Sequence, residues 1–279
     1  MTPCIMQPLR FLHLPKTAGT TFTVLLERQY GSRRQFQFSG DGQHDRERFR
    51  AIPEAEKRKI VLFTGHASLV TGIPEADRAK IITILRNPVS RVKSFCHHVA
   101  EGKSPHLREA FPPESFDLDS FLDSGNPELY NLQTRILIET PETEKDPFAT
   151  ISPSDALQLA RHNLSNRVFC FGLQELFDES LLVFAEALNL SPPFYFSLNR
   201  KNRGLQLEFK PRHLDKIRQL NQLDIELYEA SREYFLNNLS SQVTATQLAR
   251  FRKGQCTFSF PLKLSYLVGG FVKKVHAHR

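Results

Sequence analysis

Apolar runs of strand length alternate along the chain with amphipathic segments of helical length. Runs rich in β-branched and aromatic residues predict strands at 9–14, 36–38, 60–64, 81–85 and 168–171. Segments with apolar residues three and four positions apart predict helices at 22–31, 88–100, 128–138, 154–163, 175–189 and 214–236. Continuous apolar strands are typical of parallel sheets covered on both faces. The pattern therefore predicts an α/β fold with three layers, in which helices cover both faces of a mainly parallel sheet.

The apolar pattern loosens after residue 239. We therefore expect one large domain at 1–239 and a C-terminal extension at 240–279 that packs on the core or is partly disordered. The apolar stretch of that extension, at 264–272, is too short to span a bilayer. Contact of this tail with an anionic membrane surface is an open but less favoured alternative. The polar segment 39–50 is expected to be a loop.

Polar residues follow three of the predicted strands, at the point where each strand ends. They are the segment 15–21, the pair Gly65-His66 and the pair Arg86-Asn87. Ligands of parallel α/β sheets bind beyond the carboxyl ends of the strands. The convergence of these three clusters predicts a site at that edge of the sheet.

The first cluster predicts an anion site. A strand, a tight turn of small residues and a helix start direct backbone N–H groups and a helix dipole at one point, which favours a phosphate. Lys16 adds a mobile positive charge, and Gly19 permits close approach of a ligand to the backbone. The lysine precedes the glycine, so this is not the G-x-x-x-x-G-K-[ST] loop of nucleoside triphosphatases. A strand-to-helix turn that binds nothing is the alternative.

The third cluster predicts a second anion site. Asn87 and Pro88 are good residues to start a helix. Ser94 lies two turns into that helix, so Arg86 and Ser94 together could hold a phosphate. Two separate phosphate sites fit a nucleotide phosphorylated at both its 5′ and 3′ positions better than a nucleoside triphosphate.

Charge and cysteine usage narrow the class of protein. The formal net charge of +7 suits an anionic ligand, although an ordinary basic surface is an equally simple explanation. No clustered basic face with interleaved aromatic residues is apparent, so we do not expect a nucleic-acid partner. The four cysteines form no C-x-x-C pair, and no secretory signal opens the chain. We therefore expect reduced thiols and a cytoplasmic location.

Two motifs resemble those of a known family. The stretch His13-Leu-Pro-Lys-Thr-Ala-Gly-Thr20 is similar to the 5′-phosphosulfate loop of carbohydrate sulfotransferases of the heparan sulfate 2-O/6-O group and their bacterial relatives. The stretch Leu85-Arg-Asn-Pro-Val-Ser-Arg-Val-Lys-Ser94 is similar to their 3′-phosphate motif. Three further stretches, at 131–137, 171–181 and 221–228, match in type and order. Asn87 departs from the pattern, because the family usually has Asp there.

The resemblance implies a fold of the P-loop NTPase type and a sulfotransferase activity. The donor would be 3′-phosphoadenosine 5′-phosphosulfate, the acceptor a hydroxyl expected on a carbohydrate, and no metal would be required. Arg86 and Ser94 would hold the 3′ phosphate. Lys16 would also neutralise the leaving oxygen. The residues implied at the 5′ phosphosulfate are Lys16, Thr17, Ala18, Gly19, Thr20 and Thr21.

A general base must take the proton of the acceptor hydroxyl, and histidine suits this role near neutral pH. His66 is the candidate, because it ends a strand on the ligand edge where the family carries a catalytic histidine. His97 and His98 are alternatives, whereas His13 is expected to pack inside the first strand. Whether Asn131, Gln133 and Arg135 line the acceptor side or only stabilise a helix is left open by the sequence.

Two other functions compete with this interpretation. A P-loop kinase or NTPase would need a lysine after the glycine and a strand ending in a magnesium-binding Asp, and neither is apparent. A non-catalytic relative that binds nucleotide is the second alternative.

Overall fold

A five-stranded parallel sheet forms the centre of the molecule. The structure is a computed structural model that describes residues 7–31, 34–143, 146–196, 207–259 and 262. Its strands, in the spatial order β2-β3-β1-β4-β5, are β1 (Leu9–Leu12), β2 (Gln35–Ser39), β3 (Leu62–His66), β4 (Lys80–Leu85) and β5 (Val168–Leu173). The predicted α/β fold with a mainly parallel sheet is confirmed.

Helices connect the strands and continue beyond the last of them. They are α1 (Gly19–Tyr30), α2 (Gly42–Arg50), α3 (Glu54–Lys57), α4 (Pro74–Asp77), α5 (Pro88–Ala100), α6 (Leu118–Asp123), α7 (Leu132–Ile138), α8 (Pro153–Asn166), α9 (Phe177–Leu188), α10 (Pro211–Leu220), α11 (Gln222–Gln242) and α12 (245–259). Short 3₁₀ turns lie at Pro105–Leu107, Pro113–Ser115, Pro127–Leu129, Pro147–Ala149 and Gln174–Leu176.

Alternate residues of β4 show why helices cover both faces of the sheet. Ile82 and Ile84 join a buried cluster with Phe22 of α1 and Phe184 of α9. Ile81 and Leu85 join a different cluster, which includes residues of α7, α8 and α11. Since successive side chains of a strand point to opposite faces, β4 is buried on both sides. This explains its continuous apolar sequence and the three-layer architecture.

Two helix predictions were wrong. Residues 39–50 were expected to form a loop, but α2 occupies most of this segment and is capped by Asp41, whose Oδ1 accepts a hydrogen bond from the His44 N–H at 2.9 Å. The long helix expected at 214–236 is interrupted at Asn221. The fully buried amide of Asn221 donates to the carbonyl oxygens of Leu129 and Ile217, at 2.7 and 2.9 Å. These bonds stabilise the break between α10 and α11.

The expected boundary between residues 239 and 240 lies inside α11. The helix that follows, α12, packs on the core through Phe251, whose ring stacks on Phe194 at 5.5 Å between centroids. Residues 260, 261 and 263–279 of the predicted tail, which include the apolar stretch 264–272, lie outside the described residues. In the described part of the chain, no helix combines the length and hydropathy that a bilayer span requires.

A buried ion pair holds the loop that follows β3. Arg10 is fully buried in β1 and donates to the carbonyl oxygens of Ser68 and Leu69 and to Asp77 Oδ1, the last at 3.1 Å. Asp77 Oδ1 also accepts from the N–H and the hydroxyl of Thr71, at 2.9 and 2.8 Å. Burial lowers the pKa of Arg10 to about 10, and the neighbouring Asp77 opposes that shift. The ion pair therefore fixes the segment 67–73 next to the strand end at His66.

Loss of this pair should destabilise the fold. Asp77→Asn leaves the buried guanidinium of Arg10 without its counter-charge, so we expect the free energy of unfolding to fall by about 3 kcal/mol. Urea denaturation followed by circular dichroism measures this. Glu75→Gln, an exposed change in the same short helix, is the control and should be close to neutral. Equal midpoints for the two variants would contradict a structural role of the pair.

Candidate functional site

The three polar clusters meet in one cleft of about 870 Å³ at the carboxyl edge of the sheet. The cleft brings together eight of the nine residues that the sequence analysis proposed for the site. These are Lys16, Ala18, Gly19, Thr20, Thr21, His66, Arg86 and Ser94. Their convergence follows from the parallel order of β3, β1 and β4, whose carboxyl ends lie side by side.

The turn between β1 and α1 has an unusual backbone. Lys16 and Ala18 both adopt positive φ angles, 68° and 67°, although neither is a glycine. Each such residue costs roughly 1–2 kcal/mol, and strain of this kind clusters at functional sites. Ala18 is also the N-cap of α1 and provides no side-chain hydrogen bond to the helix. The first N–H groups of α1 thus lack a side-chain cap, and they border the cleft where an anion can bind them.

Thr17 is the proposed residue that does not line the cleft. Its side chain is fully buried, and its hydroxyl donates to the Leu14 carbonyl oxygen at 2.8 Å. The Thr17 hydroxyl therefore stabilises the turn, and the assignment of Thr17 to the 5′ phosphosulfate stays a prediction. Any contact from Thr17 to a ligand has to come from its main chain.

Arg86 joins the two predicted anion sites. Its Nη1 donates to the Lys16 carbonyl oxygen at 2.7 Å, so the guanidinium lies against the first turn. Its Nε is buried without a hydrogen-bond partner among the described residues. Gln133 holds the backbone of Arg86 from the other side: Gln133 Oε1 accepts from the Arg86 N–H at 2.9 Å, and Gln133 Nε2 donates to the Arg86 carbonyl oxygen at 2.8 Å. The two sites are therefore adjacent within one cleft.

The charge in the cleft is partly desolvated. Burial, together with the positive charges of Arg86 and Lys103, lowers the pKa of Lys16 to about 8, and Glu101 and Glu128 oppose that shift. Burial also lowers the pKa of Arg86. A bound polyanion would relieve this repulsion between cations, so the cleft is electrostatically suited to phosphate and sulfate groups.

His66 is exposed to the cleft and oriented by His13. The Nδ1 of His66 lies 3.0 Å from the His13 carbonyl oxygen, and the two rings lie 4.3 Å apart between centroids. A carbonyl can only accept, so Nδ1 carries the proton in this bond. In the neutral ring the other nitrogen, Nε2, then has a free lone pair, which is the arrangement a general base needs.

His13 itself follows β1 instead of lying inside it, but its ring packs as expected, stacking on Phe11 while it also lines the cleft. Burial and the nearby His66 and Lys16 lower its pKa to about 3, so its ring is neutral at neutral pH. The imidazole lies directly over Gly19, where a Cβ would overlap it. Gly19 is therefore required for the His13 ring as well as for access to the backbone.

The other polar residues that the sequence suggested for the site occupy different places in the structure, and only some of them line the cleft. His98 lines the cleft, and burial followed by the charge of Lys16 lowers its pKa to about 4. His97 packs against the Phe209 ring at 5.8 Å between centroids. The Asn131 side chain accepts from the Asp224 N–H at 3.2 Å, so Asn131 and Gln133 support α7 and Arg86. Arg135 lines a neighbouring pocket.

Sequence reasoning missed several residues that line the cleft. Lys103 and His106 come from a segment in which no helix or strand was predicted. Glu128 lies in a 3₁₀ turn where the start of a helix was expected, and Asp41 comes from the unpredicted start of α2. No local pattern marks them, because they reach the cleft only through tertiary packing. In the residue ranges that the structure describes, no group of three or more His, Cys, Asp or Glu side chains could hold a metal ion.

Comparison with known proteins yields relatives but no match to a family model. The heparan-sulfate 6-O-sulfotransferase 2 of Danio rerio is 31% identical over 182 residues, which are 56% of this chain and 38% of the relative. The heparan-sulfate 6-O-sulfotransferase 1 of Cricetulus griseus is 30% identical over 186 residues, 59% of this chain and 46% of the relative. The human heparan-sulfate 6-O-sulfotransferase 2 is 28% identical over 184 residues, 56% of this chain and 29% of the relative.

The chain thus spans less than half the length of these curated relatives. Among solved structures, a mouse sulfotransferase complexed with PAP aligns with a TM-score of 0.40 at 16% identity, covering 77% of this chain and 64% of that one. The curated relatives confirm the resemblance to carbohydrate sulfotransferases that the motifs indicated.

The lowered pKa of Lys16 predicts a pH dependence of ligand binding. Only the protonated amine attracts phosphate, so affinity for adenosine 3′,5′-bisphosphate should fall as the pH rises through about 8. The fall should reach about tenfold per pH unit, because one proton must be taken up on binding. Phosphate groups are already ionised in this range, since their second pKa is about 6.

Calorimetric titration between pH 7 and 9.5 measures this dependence. Lys16→Arg keeps its charge throughout the range and should give a nearly flat profile. The same slope in both proteins would exclude Lys16 as the titrating group.

Proposed function

We propose that this chain is a sulfotransferase that moves a sulfuryl group from 3′-phosphoadenosine 5′-phosphosulfate to a hydroxyl group of a carbohydrate. One observation carries the proposal: a single cleft holds the strained Lys16 turn, the Arg86 guanidinium and an oriented histidine base. The similarity to heparan-sulfate 6-O-sulfotransferases supports the same reaction class and a carbohydrate acceptor.

Lys16 and the N–H groups at the start of α1 bind the 5′ phosphosulfate in this proposal, with Thr20 and Thr21 at the rim of the same turn. Arg86 and Ser94 hold the 3′ phosphate. The contact between Arg86 and the Lys16 carbonyl oxygen supports this arrangement, because it couples the positions of the two phosphate-binding groups. The unpartnered Nε of Arg86 is a further buried donor for a phosphate oxygen.

His66 is the proposed general base. Its Nε2 takes the proton of the acceptor hydroxyl while the acceptor oxygen forms a bond to sulfur. The bond between sulfur and the bridging 5′-phosphate oxygen breaks in the same displacement. Lys16 neutralises the charge that develops on this leaving oxygen. The products are the sulfate ester and adenosine 3′,5′-bisphosphate, and the proton passes from His66 to solvent.

A P-loop kinase or NTPase is less compatible with the site. The strands bordering the cleft end in Gly65-His66 and before Arg86, not in a magnesium-binding Asp. A non-catalytic relative would not need the oriented base at His66.

The cytoplasmic location and the absence of a nucleic-acid partner stay predictions, as does the less favoured membrane contact of the tail.

Removal of Arg86 should discriminate between nucleotides. Arg86→Ala removes a guanidinium assigned to the 3′ phosphate, so affinity for adenosine 3′,5′-bisphosphate should fall by about tenfold or more. Affinity for AMP, which lacks that phosphate, should fall less, because binding of its 5′ phosphate loses only the support that Arg86 gives to the Lys16 turn. Calorimetric titration of both nucleotides measures the difference. Equal losses would contradict the 3′-phosphate role.

Removal of His66 should separate binding from chemistry. His66→Gln should lower kcat by about 10²–10⁴-fold, because it removes the general base. Affinity for adenosine 3′,5′-bisphosphate should be retained, since His66 acts on the acceptor. The control is His162→Gln, an exposed change on α8 that should leave kcat unchanged. Retained activity in the His66 variant would place the base elsewhere, with His98 the next candidate in the cleft.

A further inference from the structure

A second pocket, of about 450 Å³, opens beside the donor cleft. The two cavities share the wall residues Gly40, Asp41, His66 and Glu128. A molecule in the smaller pocket therefore has access to His66, which lines both cavities. The remaining wall comes from β2, α2 and α7 and from the loop that the ion pair of Arg10 and Asp77 fixes.

The net charge of the lining residues differs in sign between the two cavities. The donor cleft contains Lys16, Arg86 and Lys103 against the carboxylates of Asp41 and Glu128. The smaller pocket has one guanidinium, that of Arg135, and its acidic lining residues are Asp41, Asp45, Glu128 and Glu139. Asp45 is neutralised by Arg48 at 2.7 Å, whereas Asp41 and Glu128 face both cavities.

Arg135 independently indicates a ligand in the smaller pocket. Its side chain is only 8% exposed, yet its Nε has no hydrogen-bond partner in the described part of the chain. The guanidinium instead lies over the rings of Tyr130 and Phe148, at 5.1 and 5.5 Å from their centroids. These rings fix its plane without satisfying its donors. A buried unsatisfied donor costs about 1–3 kcal/mol, which a ligand oxygen would recover.

The carboxylates provide the complementary acceptors. Asp41 Oδ1 caps α2, and Glu128 Oε1 lies 3.5 Å from His106 Nε2. Each carboxylate retains further acceptor capacity, since an ionised carboxylate has about four lone-pair sites. A hydroxyl group both donates and accepts, so it fits between a guanidinium and a carboxylate. A second anion fits Arg135 alone and is repelled by both carboxylates.

From these contacts we infer that the smaller pocket receives the acceptor as an uncharged sugar, held between Arg135 and the carboxylates of Asp41 and Glu128, and that these carboxylates select against polyanionic sugars. The inference rests on the proposed function and specifies its acceptor. The donor also brings negative charge into the adjoining cleft, which adds to the repulsion of an anionic acceptor.

The test compares two probes of equal length on protein saturated with adenosine 3′,5′-bisphosphate. One is the uncharged tetrasaccharide of N-acetylglucosamine, and the other is a tetrasaccharide that alternates glucuronate with N-acetylglucosamine. Calorimetric titration should show the uncharged probe binding about tenfold more tightly, because like charges brought together at an interface are unfavourable. Equal affinities, or preference for the anionic probe, would overturn the inference.

Substitutions test which side chains cause the preference for the uncharged probe. The double variant Asp41→Asn and Glu128→Gln keeps a helix-capping side chain at position 41 and removes both charges, so it should bind the anionic probe at least about fivefold more tightly. Arg135→Gln should weaken the uncharged probe by about tenfold, because it removes a buried charged donor. Glu229→Gln removes one carboxylate from an exposed position on α11 that lines neither cavity, so it is the surface-charge control and should alter neither affinity.

Titration with adenosine 3′,5′-bisphosphate distinguishes a failure of the proposed function from a failure of the acceptor inference. If adenosine 3′,5′-bisphosphate fails to bind, the proposed function fails. If the nucleotide binds but neither tetrasaccharide does, or if the double variant leaves the ratio of probe affinities unchanged, the acceptor inference alone is overturned.

Discussion

The hydrogen bond from the Arg86 guanidinium to the Lys16 carbonyl oxygen, at 2.7 Å, is the contact on which the site depends. It connects the end of β4 to the turn after β1, two neighbouring strands of the sheet. The turn is strained at Lys16 and Ala18, and a strained backbone persists only when its surroundings determine it. Arg86 provides that constraint from one side, and the buried Thr17 hydroxyl provides it from the other. The same guanidinium that would bind a ligand therefore also shapes the turn that would bind the ligand's other end.

Further contacts hold Arg86 and the two histidines, His13 and His66, in place around the turn. Gln133 fixes the backbone of Arg86 through both polar atoms of its amide, and it is held in turn because its own N–H donates to Asp224 at 3.0 Å. On the other side of the turn, the His13 ring lies against Gly19 and contacts the His66 ring at an interplanar angle of 31°. One connected set of contacts thus runs from α11 through β4 and the first turn to the candidate base, with hydrogen bonds as far as the turn and ring packing on Gly19 beyond it. Networks of this kind rigidify a site only when nearly every member is satisfied. The unpartnered Nε of Arg86 is the exception, and it borders the cleft where a ligand would bind.

The sequence predicts the framework of this site because that framework depends on local signals. Continuous apolar strands, a helix-starting Asn-Pro pair and small residues in a turn are each visible within a few positions. The features it did not predict depend on long-range contacts. The helix α2 has a polar sequence and buries only Asp45 and Phe49, so no apolar stripe marks it. The break at Asn221 depends on a carbonyl 92 residues away, and the pocket around Arg135 depends on segments with no shared motif.

Glu128 shows that the two cavities are not electrostatically independent. Its carboxylate raises the pKa of Lys16, and it also forms part of the wall of the smaller pocket. In the empty site Glu128 therefore favours the protonated lysine that phosphate binding requires. Once a polyanionic donor occupies the cleft, the charge of Lys16 is compensated by that donor, and the negative charge of Glu128 is left to act on whatever enters the smaller pocket. A residue between two substrates can thus support the binding of an anion on one side and oppose it on the other. This follows from Coulomb's law and the position of a single side chain, and it means that the proposed selectivity of the smaller pocket should be stronger when the donor is bound.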